Sequence, residues 1–362
     1  RRSSDLLQLT RFLSGFVGCC TVMNSAVVMQ EILPKEISGV GNSMISAVKT
    51  TSVFVAYIKQ NLFSRETLVK HWRIFMCWPL ILTLLRTIVF MSIVRTRTAK
   101  AYIAKHYGSP DMRSDLKYIL SATHRESRLS LLVDECIKTH EMHATNHGKT
   151  GGYSRLFGQS TRRRLGAACL IAIAEQLSGM PVFALYSTDL FNKISNNGKE
   201  VTFSIAVAKV FGGIIAIFAI KYYGRKINIM TGTIMQCLCL LAIGISIEID
   251  NTLIPYAAVF IFVIFYATGL GANFYVYAAE ILDPLGVSIA GTVLGAVSAI
   301  VSKGTPYLFK YAGEQGTITA FAVGCLVCFV LLDYFIIETK GKGERQIVGE
   351  FLHKKYRFLD FS

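Results

Sequence analysis

Nine stretches of this chain stay apolar for about twenty residues at a time, most of them separated by short polar connections. They span about 12–30, 39–58, 74–94, 165–190, 201–220, 229–249, 254–279, 289–309 and 318–337. A helix rising about 1.5 Å per residue needs about 20 such residues to cross the hydrocarbon of a bilayer. A lipid-facing strand would instead need alternation over about ten residues, and none is visible. The pattern predicts an all-α polytopic membrane protein with about nine transmembrane helices. Composition agrees: 52% of the residues are hydrophobic and 17% charged, more apolar than a soluble domain of this length.

Net charge is +15. On a soluble chain this would point to nucleic acid, but here its distribution points to lipid, and no nucleic-acid partner is expected. With 95–164 placed in the cytoplasm and sides alternating, the inside segments hold 24 Lys and Arg: Lys35, fourteen in 95–164, three in 221–228 and six in 338–362; the outside segments hold ten. Basic residues accumulate on the cytoplasmic side. The N-terminus is therefore expected outside and the C-terminus in the cytoplasm. The first residue is Arg and no signal peptide is legible, so the sequence reads as a processed or partial product.

Four segments are expected: 1–94 with three spans, a basic loop at 95–164, a six-span segment at 165–337, and a cytoplasmic tail at 338–362. Within the loop, DLKYILSATHRESRLSLLVDECIKTH carries apolar residues at three- and four-residue spacing, the signature of helices lying on the inner membrane surface. Cys136, His140, His143 and His147 fall near one face of that pattern and could hold zinc by spacing alone. A solvated surface helix is the preferred reading, because a metal site also needs partners that orient its ligands; no metal is expected. Gly148-Lys149-Thr150 ends like a phosphate loop, but His143 stands where that loop needs glycine. Cys19, Cys20, Cys77, Cys169, Cys237, Cys239, Cys325 and Cys328 lie in apolar runs, where small apolar packing is their expected role. Cys325 and Cys328 form a CxxC with no second pair. No cofactor is expected. No histidine lies in a span and no nucleophile–base pair is legible, so an enzyme is not expected. No ring of charges suggests a channel.

One run breaks the apolar rule. Glu175–Phe191 reads EQLSGMPVFALYSTDLF, with a carboxylate and a proline inside a predicted span. Pro181 removes a backbone donor and frees a carbonyl near Leu177; such breaks in membranes line cavities. A carboxylate or a lysine costs about 2.5–3.5 kcal/mol at the centre of a span on insertion scales, so Glu175 and Lys209 are expected to face the bundle interior. Gly269 and Gly271 in GLGANFYVY suit close helix approach or a bend.

The EQLSG run resembles the start of the seventh helix of the sugar porter family, the glucose-transporter relatives of the major facilitator superfamily. Gln176, Ser178, Gly179, Tyr186, Ser187, Thr188 and Phe191 match. Five further matches fall in order: Arg11-Phe12 with Gly15, then Glu31, Pro34 and Gly39, then Gly224-Arg225-Lys226, Ala279-Glu280, and Glu338-Thr339-Lys340-Gly341. The resemblance covers essentially the whole chain. It implies that the nine runs correspond to helices four to twelve of a twelve-helix fold, with 1–94 a remnant of the N-terminal half. It also implies two halves holding a solute near the midplane and exposing it alternately to each side. Glu31, Gly224, Arg225, Lys226, Glu280 and Glu338 would then form the loop contacts that lock one conformation.

Departures concentrate where that family grips its sugar. Glu175 replaces a glutamine and Pro181 an asparagine of the seventh helix; Ser46, Lys209 and Tyr275 replace a glutamine, an asparagine and a tryptophan elsewhere. Leu270, Ala272 and Phe274 replace prolines, Val287 an arginine and Lys221 an acid, while Arg95 alone survives from the motif after the sixth helix. A carboxylate only accepts hydrogen bonds and a lysine only donates them, so a neutral polyol would lose matching partners. An ion pair between Glu175 and Lys209 is expected, with Lys49 the second candidate partner. The resemblance implies a transporter of a hexose-like or related small solute, with Gln176 orienting it and Glu175, Lys209, Tyr186 and Tyr275 shaping the cavity. The replaced amides point to a changed, zwitterionic or anionic solute, or to none. The alternative is a degenerate, non-transporting scaffold that partners other membrane subunits.

Overall fold

The computed structural model describes residues 35–62, 158–195, 198–249 and 253–353 without interruption, with shorter pieces of 10–29, 70–71, 81–88 and 102–138. All regular structure among the described residues is helical. The chain divides into two compact units. The first comprises Arg1–Gln30, Glu36–Phe54 and Arg155–Ser362; the second comprises Glu31–Lys35 and Val55–Ser154.

The helices, in chain order, are α1 (Lys35–Leu62), α2 (Met112–Ser121), α3 (Gln159–Leu177), α4 (Met180–Ser195), α5 (Gly198–Tyr222), α6 (Arg225–Glu248), α7 (Leu253–Thr268), α8 (Leu270–Ile281), α9 (Pro284–Phe335) and α10 (Glu344–His353). Five stretches among the described residues are long and apolar enough to cross a bilayer: Thr161–Asn192, Glu200–Tyr222, Arg225–Glu248, Leu253–Ile281 and Pro284–Phe335. The last has 52 residues and turns at Gly313, where φ is 68°. As one straight rod it would reach about 78 Å, far beyond a core of about 30 Å, so it supplies two spans. Together these account for all six apolar runs expected in 165–337. The run 39–58 lies within α1. The run 12–30 is helical at 21–29, and the described residues of 74–94 are helical too.

Small residues set how closely the helices pack. Lipid tails offer no hydrophobic drive for helix association, so close backbone contact carries it. A Cβ on Gly232 of α6 would lie 2.7 Å from the Cα of Gly269, and one on Gly212 of α5 would lie 2.7 Å from Ala267 Cβ of α7. Gly213, on the neighbouring face of α5, admits Ala47 and Thr50 of α1. A polar α1, carrying buried Asn42, Ser43 and Ser46, thus packs against the apolar α5.

The second unit holds its own small core. Ile103, Met112, Leu116, Leu120, Leu129, Val133 and Ile137 form one buried cluster, with Tyr102 and Cys136 against it. Tyr102 hydroxyl meets the Asp115 carboxylate, and Arg113 pairs with Asp134 at 3.2 Å. Cys136 therefore packs on an apolar cluster; His140, His143 and His147 lie outside the described residues.

Candidate functional site

Two broken helices supply the polar groups of the first unit. The expected break near Pro181 falls at Ser178–Gly179, between α3 and α4. Gly179 has φ 84°, a left-handed conformation that L side chains resist, and a Cβ there would stand 3.3 Å from Phe321 Cβ. Pro181 sits in the first turn of α4, where its missing N–H costs nothing. Ser178 closes the end of α3, its N–H donating to Ala174 O at 2.9 Å and its hydroxyl to Glu175 O at 2.7 Å. The second break, at Gly269, separates α7 from α8. The Asn273 amide donates to the carbonyls of Thr268 (2.9 Å) and Gly269 (2.7 Å), satisfying acceptors that the break exposes.

Around these breaks lies the first cluster. Glu175 is 2% exposed. Its Oε1 accepts from the Tyr266 hydroxyl at 2.8 Å, and its Oε2 is buried with no hydrogen-bond partner. The Lys49 amine of α1 donates to the Tyr275 hydroxyl at 3.1 Å and stands 5.3 Å from that ring's centroid. Ser46, one turn earlier, reaches Gly271 O at 3.4 Å. Among the described residues no ion pair joins Glu175 to Lys209. The sequence placed the carboxylate inside the bundle with Lys209 as its first candidate partner and Lys49 as its second; the partner found is the Tyr266 hydroxyl, because helix spacing says nothing of which neighbour a side chain meets. Lys209 and Gln176 make no hydrogen bond or ion pair among the described residues, although Gln176 is 8% exposed. Tyr186 points elsewhere: its hydroxyl donates to Ser302 O at 3.0 Å and its ring meets Phe309 edge-on, tying α4 to α9.

A second cluster gathers at helix ends. Gly224, with φ 93°, precedes α6 and offers no side-chain cap of its own. Glu338 takes that role from beyond α9. Its Oε1 accepts from the N–H groups of Arg225 (3.0 Å), Thr339 (2.9 Å) and Lys340 (2.9 Å), and its Oε2 from Lys226 N–H (2.9 Å). A Cβ at 224 would sit 2.7 Å from that carboxylate. The Arg225 guanidinium grips Glu280 Oε1 through Nη2 (2.5 Å) and Nε (3.1 Å), while Glu280 Oε2 accepts from the Thr339 hydroxyl at 2.6 Å. Lys226 pairs with Asp333 at 3.1 Å. Lys340 donates to Tyr222 O at 2.9 Å. Gly39 of α1 lies against the Arg225 guanidinium, which a Cβ there would overlap. Five of the six conformational residues expected from the sequence therefore join one network. Glu31 lies outside the described residues.

Sequence reasoning missed Tyr266, Asp333 and Arg164, whose guanidinium donates to Ile281 O at 2.9 Å. Asp333 was legible in principle: an acid in LLDYF, within an apolar run, needs a cation. Nothing local marks Tyr266, whose hydroxyl matters only because Glu175 faces it.

The comparisons with known proteins agree with this architecture. The family model described as sugar (and other) transporter matches residues 2–351. The chain is 26% identical over 213 residues to the facilitated glucose transporter member 2 of solute carrier family 2 from Gallus gallus, a match covering 56% of this chain and 40% of the relative. It is 25% identical over 206 residues to the arabinose-proton symporter of Bacillus subtilis, covering 54% and 44%. With member 4 of the same solute carrier family from Mus musculus it shares 22% over 367 residues, covering 96% and 69%. The matches to the first two span less than half of those relatives' length. Among solved structures, the proton:xylose symporter XylE bound to 6-bromo-6-deoxy-D-glucose superposes with a TM-score of 0.75 at 17% identity, over 91% of this chain and 70% of that one. The inward-open form of the same transporter from E. coli gives 0.63 at 16% identity, over 90% and 68%. The fold is that of the major facilitator superfamily.

Proposed function

The chain belongs to the sugar (and other) transporter family of multi-pass integral membrane proteins, and from that premise we propose that it carries a hexose-like or related small solute across a membrane by alternating access. The observation that carries this reading is the pairing of a polar cluster inside the helices with a separate network at the helix ends. Glu175 meets Tyr266 and Lys49 meets Tyr275, while the Gln176 amide and the Lys209 ammonium make no hydrogen bond or ion pair among the described residues and could serve a solute. The network of Arg225, Glu280, Glu338 and Lys226 is an ion-paired latch whose parting would free α6 from α8 and from the segment after α9. A carrier needs both: a place for the solute and contacts that favour one arrangement over another. The excess of basic residues in 95–164, 221–228 and 338–362 supports a cytoplasmic C-terminus.

The test is uptake of labelled hexose by vesicles reconstituted with the purified chain. Saturable uptake is expected, and Gln176→Ala should lower it at least tenfold while leaving the chain folded. Vesicles that contain folded protein and take up no more solute than empty ones would overturn the carrier reading in favour of a non-transporting scaffold.

A further inference from the structure

One side of α3 joins two arginines to an apolar stripe. Arg163, Gly166, Leu170 and Ile173 follow one another at three- and four-residue spacing, and Arg162 lies one turn before Gly166, so all five share a helix face. With Phe335 at the end of α9 they line a groove of about 830 Å³, within the range of small-molecule sites. Gly166 keeps its middle open: the residue is exposed, and a Cβ there would meet nothing within 4 Å.

The ends of the groove differ in charge. Arg162 is exposed, and its guanidinium makes no hydrogen bond or ion pair among the described residues. Arg163 is anchored, its Nη1 donating to the carbonyls of Phe351 (3.0 Å) and Leu352 (3.2 Å) in α10. Arg164, next in the chain, ties the start of α3 to Ile281 O at the end of α8, so the basic end lies at the level of the helix ends. From Arg162 to Ile173 the helix climbs eleven residues, about 16 Å. One leaflet is half of a hydrocarbon core of about 30 Å. With the arginines at headgroup level, the groove therefore runs the depth of one leaflet.

We propose that this groove binds one anionic phospholipid. Arg162 grips its phosphate beside the fixed charge of Arg163, and an acyl chain lies over Gly166 along Leu170 and Ile173, against Phe335. A guanidinium meets a phosphate through two parallel hydrogen bonds. Charge complementarity selects the anionic lipid, because a zwitterionic headgroup brings a cation of its own to two arginines. A soluble phosphate would use the basic end and leave the apolar length uncovered. The site needs α3 to span the bilayer and is independent of which solute, if any, the chain carries.

Native mass spectrometry of the purified chain released from neutral detergent tests this, with palmitoyl-oleoyl phosphatidylglycerol, palmitoyl-oleoyl phosphatidylcholine and glycerol 3-phosphate as probes. The first phosphatidylglycerol should bind at least fivefold more tightly than the first phosphatidylcholine, the change that one arginine near an anionic lipid confers. Arg162→Gln should weaken phosphatidylglycerol about fivefold and leave phosphatidylcholine unchanged, while Arg162→Lys, which keeps the charge, should retain the preference. Gly166→Trp, whose ring fills the middle of the groove, should weaken phosphatidylglycerol at least tenfold. Equal binding of the two lipids, or undiminished phosphatidylglycerol binding in Arg162→Gln, would overturn the proposal. So would glycerol 3-phosphate binding as tightly as phosphatidylglycerol, which would mark a soluble-anion site. Phosphatidylglycerol binding that Gly166→Trp leaves intact would overturn it too, since the groove would then be filled by the chain's own residues or by nothing.

Discussion

Replacing Glu338 by glutamine isolates one interaction whose size can be worked from the structure. The first N–H groups of any α-helix lack intrahelical acceptors, and those of Arg225 and Lys226 are met by the Glu338 carboxylate alone at 3.0 and 2.9 Å. Glutamine has nearly the same shape but only one acceptor oxygen. If its oxygen stays where Oε1 was, its NH₂ faces the Lys226 N–H and one charge-assisted bond becomes a clash of donors. Such a bond contributes about 1.5–3 kcal/mol. The lost negative charge at the α6 N-terminus adds about 0.3–1 kcal/mol. The total is about 2–4 kcal/mol, and at 1.36 kcal/mol per decade its lower bound is about a thirtyfold change. Hydrogen exchange read by mass spectrometry on a peptide covering the start of α6 should therefore speed up at least about thirtyfold in Glu338→Gln. A peptide from the middle of α9 should be unchanged. Unaltered exchange at the start of α6 would refute the assignment, since those amides would then owe their protection to something other than this carboxylate.

Arg225→Ala leaves Glu280 buried without its cation and should destabilise the chain by about 3–5 kcal/mol; thermal unfolding in detergent should show most of that loss recovered when Glu280→Gln is added. Gly179→Ala forces a Cβ into a left-handed backbone and against Phe321, and should cost about 1–2 kcal/mol, read as a lowered unfolding midpoint. Tyr266→Phe removes the hydroxyl donor to Glu175 and should cost about 1–3 kcal/mol, a cost that vanishes in a Glu175→Leu background if the hydroxyl acts only through that acid.

The spans were legible because lipid imposes a simple rule of length and polarity, and α5, α6 and the two parts of α9 obey it. The helix breaks were legible only in part. Pro181 drew attention to the right place, but the break belongs to Gly179, whose backbone conformation no side-chain pattern announces. Gly269 was expected to permit a bend or a close approach, and it does both. The helix-end network was nearly complete in the sequence, since Gly224, Arg225, Glu280 and Glu338 sit in short motifs at the ends of apolar runs. The polar cluster was harder. Charged residues in spans marked Glu175 and Lys209, but pairing depends on helix rotation and register. Here these left Glu175 to the Tyr266 hydroxyl.

That contrast has a physical cause. The helix-end contacts are made largely to backbone: Glu338 meets four N–H groups, and Lys340 meets a carbonyl. Any chain with these helices presents the same donors and acceptors there, so the same few side chains answer them. The polar cluster is made mostly of side chains facing side chains, Lys49 to Tyr275 and Tyr266 to Glu175. Its chemistry can change without disturbing the backbone contacts at the helix ends. One short helix holds both: α8 carries Tyr275 in the cluster and Glu280 in the network, five residues and about 7.5 Å apart along the axis. On the carrier reading proposed above, and because α8 is separated from α7 at Gly269, a solute that moved Tyr275 would also strain the grip of Arg225 on Glu280. On that reading the coupling between site and latch would run through the twelve residues of α8 whichever solute is bound, so the side chains of the site could change while the latch kept its motif.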